Sequence, residues 1–213
     1  MLSAHAAAIP VFLMMEEPLT PARADESGLD FALMARIGDG DHDAFRQLVE
    51  RHQHAVTGTV TKMLGNSSDA QDIAQQVFLR IWRHAKRYRP DAKFTTYLFT
   101  ITRNLVFNES RRRRRKNEVS SDEREQHSKL LLEAPHDRQP DAQILQAELQ
   151  RAIDAAIIAL PKSQRMAVVL WRYKQLSYEE IASVLGLSVS AVKSLLFRAR
   201  TALRDDLRRY LDH

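Results

Sequence analysis

The sequence predicts an all-α protein: two small helical domains joined by a flexible linker. Three observations carry that prediction. Apolar residues recur at spacings of three and four along most of the chain after residue 29, the period of an amphipathic helix. No segment alternates apolar and polar residues as a half-buried strand does, and no internal repeat is evident. Periodicity lapses over residues 117–140, where Ser120, Ser121, Pro135 and Pro140 sit among acidic side chains.

Taken in order, residues 1–28 read as a disordered N-terminal extension. Ala6 to Met15 is mostly apolar, but it is too short to span a bilayer and is interrupted by Pro10. No lysine or arginine precedes it, which weakens a secretory-signal reading, and Met14 or Met15 is an alternative start. With no longer apolar stretch, the expectation is a cytoplasmic protein without membrane insertion. A first domain is expected over 29–116. Phe45, Leu48, Val49, Val56, Val60, Met63 and Leu64 share one helical face that Gly65 ends. Ser68 with Gln71 has the form of a capping box, and Ala70, Ile73, Ala74, Val77, Phe78, Ile81 and Trp82 make the next apolar stripe. Arg89-Pro90-Asp91 breaks it. Phe94, Tyr97, Leu98, Ile101 and Leu105 then lead a helix that runs into Arg111 to Arg115. After the acidic linker at 117–140, a second domain is expected over 141–213, opening on Leu145, Leu149, Ile153, Ile157 and Leu160 and punctuated by Pro161.

Composition narrows the function. The chain has 213 residues, 32 Lys and Arg against 27 Asp and Glu, and no cysteine. The missing thiols exclude disulfides, thiol redox chemistry and cysteine-based zinc modules. The formal charge of +5 conceals its distribution. Residues 83–116 carry twelve basic side chains against two acidic ones, 117–150 three against eight, and 186–209 six against two. Two basic blocks separated by an acidic one suit two surfaces facing a polyanion. A solvated basic helix end followed by an acidic linker fits the charge pattern equally well.

The segment Ser177 to Lys193 is more specific. Ser177 and Glu180 form a capping box, Ala182 is small where a second helix must cross, and Gly186 permits a left-handed turn. Val192 is β-branched and apolar, with Ile181, Leu185 and Leu187 expected to complete the core between the two helices. Ser188 can cap the second helix. That helix would then present Ser190, Lys193, Ser194 and Arg198 outward: hydroxyls for base edges or phosphates, cations for phosphate or guanine. This is the pattern of a DNA-binding helix-turn-helix.

With the two domains in view, the chain resembles the bacterial RNA polymerase sigma factors of the sigma-70 family, extracytoplasmic-function (ECF) type. Residues 41–116 resemble its region two and 145–209 its region four. Asp69 to Trp82 resembles the helix that docks on the polymerase clamp. Lys93-Phe94-Thr95-Thr96-Tyr97-Leu98, with Ile101, Arg103 and Asn104, resembles the segment that melts and reads the −10 element. Leu160-Pro161 with Arg165 opens the second domain. Val192-Lys193-Ser194 with Phe197-Arg198-Ala199-Arg200 resembles the −35 recognition helix. Gln71 and Gln76 stand where the family commonly has glutamate, Tyr97 where it has tryptophan, and Leu195 where it often has arginine.

The resemblance implies a factor that binds core RNA polymerase and directs promoter-specific initiation. Its implied −35 contacts are Ser188, Ser190, Lys193, Ser194 and Arg198. Its implied −10 contacts are Arg87, Tyr88, Lys93, Phe94, Tyr97, Arg103 and Asn104, where a flipped base is held among aromatics and cations. On spacing alone, Phe94 and Tyr97 fit a plain core equally well. Polymerase contact is implied for Asp69, Asp72, Gln75, Gln76 and Leu79, on the polar side of their helix. An anti-sigma factor is implied as a further partner. The residues offer no converging acid–base pair, metal cluster or phosphate loop, so no enzyme and no cofactor is expected. Without the resemblance, a helix-turn-helix regulator with an effector or dimerisation domain would fit the second domain as well.

Overall fold

The computed structural model describes residues 24–65, 68–120 and 141–210, and every regular element among them is helical. The first half comprises α1 (Ala24–Gly38), α2 (His42–Leu64), α3 (Ser68–His84), a 3-10 turn at Ala85–Arg87, and α4 (Phe94–Ser120). The second comprises α5 (Asp141–Ala159), α6 (Lys162–Val168) running into a π-helical turn at Val169–Tyr173, α7 (Tyr178–Leu185), α8 (Val189–Asp206) and a closing 3-10 turn.

Local chemistry sets the boundaries. The Asp41 carboxylate accepts from the backbone N–H groups of Asp43 and Ala44 at 2.9 Å, capping α2. The Ala44 N–H and the Arg36 guanidinium hold that carboxyl below the usual carboxylate range. Gly65, at φ 71°, ends α2 in the left-handed conformation, and a Cβ there would stand 3.1 Å from Ile158. The left-handed φ favours glycine, and an added Cβ would require the Ile158 side chain to shift by a few tenths of an ångström. Inside the first half, Leu33, Met34, Leu48, Val60, Ile81 and Leu98 are buried, each contributing about 2 kcal/mol by its removal from water. In the second half Ile157, Met166, Leu170, Ile181, Leu196 and Leu203 do the same.

Two boundaries differ from expectation. α1 begins at Ala24, inside the segment read as an irregular extension. α4 runs to Ser120, four residues into the expected linker, because nothing at Asn117-Glu118 breaks a helix already propagating. The rest of the expected linker, 121–140, and the extension at 1–23 lie outside the described residues.

The halves touch. α7 lies on α4, and the C-terminal end of α2 meets α5, α6 and the π-helical turn. Lys62 pairs with Asp154 at 2.8 Å and sits 4.2 Å above the Tyr173 ring. Arg165 donates to the carbonyl oxygens of Met63, Ile158 and Leu160, so one guanidinium joins α2 to the α5–α6 corner. This clustering brings the two DNA-facing candidates into one body.

Candidate nucleic-acid and polymerase interfaces

The helix-turn-helix forms as its residues demand. Ser177 and Glu180 cap α7 reciprocally: the Glu180 carboxylate accepts from the Ser177 N–H at 2.8 Å, and the Ser177 hydroxyl from the Glu180 N–H at 3.2 Å. Gly186 takes φ 66° and turns the chain, and α7 and α8 cross at 98°. Ile181, Ala182, Leu185, Val192 and Leu196 are buried between them. Leu187 is not: it is 43% exposed. The left-handed step at Gly186 spends its next residue on the turn, where the Leu187 N–H donates to the Ala182 carbonyl and the side chain swings outward.

On α8, Ser190, Lys193, Ser194 and Arg198 are all exposed, and their spacing of three and four puts them on one face. Ser188 is committed otherwise. Its hydroxyl accepts from the Ala191 N–H at 3.2 Å and lies 2.9 Å from the Ser190 hydroxyl, so it caps the helix and orients a neighbour. Lys193 Nζ stands 5.5 Å from the Tyr178 ring centroid, a cation–π contact that restrains the long side chain. Phe197 shares this face at 67% exposure and, with Tyr178, Lys193 and Arg198, lines a concavity of about 670 Å³. Sequence reasoning placed Phe197 in the family motif without giving it a contact. Its position four residues after Lys193 was the available signal.

The −10 candidates divide. Tyr88, Phe94 and Tyr97 gather as a ring cluster, with centroids 5.0 Å apart for Tyr88–Tyr97 and 6.3 Å for Phe94–Tyr97. Phe94 is only 1% exposed and is braced by the His52 ring at 5.1 Å, so it is core and cannot itself stack on a base. It opens α4, whose first turn must seal the bundle. Tyr97 is half-buried and Tyr88 likewise, with the Tyr88 hydroxyl oxygen buried and unpartnered among the described residues. Burial, with Tyr97, Asp30 and Asp91 adding, pushes the Tyr88 phenol up to about 12. Behind the cluster, the buried Asp30 carboxylate accepts from Arg51 Nε at 3.0 Å and contacts His52 Nε2 at the same distance. Arg87 and Asn104 are exposed. Lys93 and Arg103 instead meet the second half: Lys93 Nζ is 2.8 Å from Glu180 Oε1, and Arg103 donates to the Leu185 carbonyl at 3.4 Å.

On α3, Asp72, Gln75, Gln76 and Leu79 are exposed, with Leu79 at 42%. Asp72, Gln75 and Leu79 border a groove of about 780 Å³ whose opposite wall is α2, through Phe45, Val49, His54 and Thr57. Asp69 stands apart, paired with Arg113, which also bonds Glu109 at 3.0 Å. Hydrogen bonds from Arg112 and Arg113 hold the Glu109 carboxyl below its ordinary value. The α2 wall was missed because Phe45 and Val49 read as part of the helix's apolar core face and His54 as a surface histidine. Among the described residues no three His, Asp or Glu gather as metal ligands, and no single helix is long and apolar enough to cross a membrane.

Known proteins match both halves. The family model for sigma-70 region 2 matches residues 48–116, and that for sigma-70 region 4 matches residues 150–203. The RNA polymerase sigma-H factor of Pseudomonas aeruginosa is 32% identical over 181 residues, covering 82% of this chain and 91% of its own. The ECF RNA polymerase sigma-E factor of Escherichia coli K12 is 34% identical over 179 residues, covering 82% and 92%. Among solved structures, CnrH in complex with the cytosolic domain of CnrY superposes with TM-score 0.61 at 26% identity, covering 85% of this chain and 98% of that one. The sigma factor RpoE of Bartonella quintana, solved with the anti-sigma factor NepR, shares the fold at TM-score 0.61 and 22% identity, covering 77% and 96%. A helix-turn-helix with a cationic outer face, a helical bundle before it, and relatives that span nearly the whole of both halves leave one assignment: the chain belongs to the sigma-70 family as an ECF-type RNA polymerase sigma factor, which directs promoter-specific transcription initiation.

Proposed function

We propose that the two halves divide the work of initiation. The second half, over 141–213, reads the −35 duplex through Ser190, Lys193, Ser194 and Arg198, with Ser188 positioning Ser190. The first half, over 29–116, binds core polymerase and captures the −10 strand. The observation that carries this reading is the exposed α8 face, one stripe of hydroxyls and cations projected from a helix-turn-helix whose two helices cross at 98°. Such a helix enters the major groove with hydroxyls toward base edges and cations toward phosphates.

For the −10 strand, Tyr97 and Tyr88 offer partly open rings, Arg87, Lys93 and Arg103 offer charge, and Asn104 offers paired donor and acceptor groups. Phe94 holds this platform from beneath. For polymerase, Asp72, Gln75, Gln76 and Leu79 form a docking ridge beside the α2–α3 groove, and Asp69 acts by fixing Arg113. The polymerase makes the phosphodiester bonds, so this chain is not itself an enzyme, needs no cofactor, and acts in the cytoplasm where its DNA lies. CnrH, similar along its whole length, was solved with the cytosolic domain of another protein, which supports an anti-sigma factor as a partner here.

Run-off transcription with core polymerase tests the reading. Start sites mapped after overexpression supply the promoters. The full chain should give discrete transcripts, and Lys193→Ala with Arg198→Ala should abolish them while leaving polymerase binding intact. Equal loss of polymerase binding in that variant would count against the division of labour.

A further inference from the structure

Asp30 is the only buried charged residue among the described residues, at 2% exposure, and the division of work proposed above makes no use of it. Its Oδ1 accepts from Arg51 Nε at 3.0 Å, and both of its oxygens stand 3.0 Å from His52 Nε2. A carboxylate accepts, so Nε2 carries the hydrogen and the imidazole is tethered in one orientation. The His52 side chain is itself only 12% exposed. Taking a carboxylate out of water is costly, and pairing with Arg51 and His52 offsets that cost without a large surplus. What the network supplies is direction.

The tethered ring leads to the −10 platform. His52 and Phe94 have ring centroids 5.1 Å apart, Phe94 lies 6.3 Å from both Tyr88 and Tyr97, and the two tyrosines are 5.0 Å apart. Phe31, next to Asp30 on α1, also packs on Tyr88, with centroids 6.4 Å apart and planes inclined by 29°. Phe94 is sealed and opens α4, and Tyr97 follows one turn later on the same face. Backbone bonding holds that turn loosely: the Tyr97 N–H reaches the Lys93 carbonyl at 3.4 Å. Packing beneath Phe94 therefore decides where the Tyr97 ring stands.

We propose that His52, tethered by Asp30, is a positioning residue for −10 strand capture, holding Phe94 and through it the Tyr88–Tyr97 platform where a base can stack. This rests on the −10 role proposed above for the two tyrosines. His52 acts from behind Phe94 and touches no DNA. The imidazole is what Phe94 packs against, and the carboxylate keeps that ring from turning. A platform displaced by about 1 Å forfeits much of the advantage of being preformed, so a small shift at His52 registers in the rate of strand capture.

Two substitutions separate the tether from the ring. In His52→Gln a side-chain N–H still reaches toward Asp30, but no ring backs Phe94. In His52→Phe the ring remains while the buried carboxylate loses a donor, so this variant should melt at the lower temperature of the two. Each full-length chain is assembled with core polymerase on a promoter taken from mapped start sites. A fluorescent base in the −10 region reports opening, at a temperature below the onset of melting for every variant. Expected for His52→Gln is open-complex formation about tenfold slower, with affinities for polymerase and −35 duplex within about twofold of the parent chain. His52→Phe should recover to about threefold slower despite its lower melting temperature. In a Tyr97→Ala background, His52→Gln should slow opening no further, because the two residues act in series. Opening rates that follow melting temperature overturn the proposal, as does a parent-like rate in His52→Gln or additive slowing in the Tyr97→Ala background. Opening at the parent rate in Tyr97→Ala alone overturns the −10 assignment itself, which keeps the two failures distinct.

Discussion

At the scale of single residues, neighbours of the same type do different work. Asp69 and Asp72 lie three apart on α3, yet Arg113 holds Asp69 while Asp72 stands exposed on the groove. An already paired carboxylate has little left to offer a partner, whereas an exposed one at an interface rim steers and orients association. Asp72→Lys should therefore weaken binding to core polymerase by about tenfold, roughly 1.4 kcal/mol, and Asp69→Asn by much less, in a fluorescence competition titration. The reverse order would show that the ridge is drawn wrongly. On α8, Lys193→Ala should lower the slope of log affinity against log salt for −35 duplex by about one, with sequence preference retained, as removal of one phosphate contact does. The stripe that carries this prediction was legible because exposure on a helix repeats every three or four residues. Leu187 was not legible: hydrophobicity suggested core, and only the direction of the chain after Gly186 turns it outward. Phe197 shows the opposite error, an aromatic at 67% exposure to which no role was given.

At the scale of elements, helices were legible and their surroundings were not. Spacing alone could not separate Phe94 from Tyr97, because both fall on the apolar side of α4. Packing separates them: Phe94 is sealed beneath His52 and Tyr97, while Tyr97 keeps an edge in solvent. Phe94→Ala should cost about 3–5 kcal/mol and lower the melting temperature sharply. Tyr97→Ala should cost less stability and instead slow open-complex formation, followed with a fluorescent base in the −10 region. Comparable stability losses with unchanged opening would make both rings core. The π-helical turn at Val169–Tyr173 left no trace in the sequence for a related reason. Val169, Leu170 and Trp171 are all buried, so a continuous apolar run carries no period from which to read the helix type. Caps were the most readable feature, since they are local. Ser177→Ala should remove about 1 kcal/mol from the second half in thermal unfolding.

At the scale of the whole molecule, the docking of the halves was invisible in the sequence. The pairs that make it, Lys62 with Asp154, Arg103 with Leu185 and Arg165 with Met63, are 82 to 102 residues apart, and no local pattern announces a partner at that distance. Its chemistry nonetheless fixes how the protein responds to alkali. Burial raises the phenols of Tyr97 and Tyr173 above 10.0 and that of Tyr88 to about 12. Burial of Lys62 is the largest single effect and disfavours its charge, but hydrogen bonding and charge attraction from Asp154 and Tyr173 together outweigh it, so its value lies above 10.5. Each of these groups holds its proton more tightly when folded, so each contributes stability that is intact below its ordinary value and lost as pH rises through its folded one. Lys174, facing Lys62 across the same junction, runs the other way: burial and then Lys62 lower it, so its penalty is relieved as pH climbs toward 10.5. Stability should therefore hold or rise slightly up to pH 10.0 and fall beyond it, where three tyrosines and Lys62 act together. Thermal melts across that range, with tyrosinate absorbance followed in parallel, should show the buried phenols ionising only as the fold is lost. Tyr173→Phe keeps the ring beneath Lys62 but has no proton to lose, so its alkaline decline should be shallower than that of the parent chain. An identical decline would mean that ionisation of the Tyr173 phenol is not coupled to unfolding.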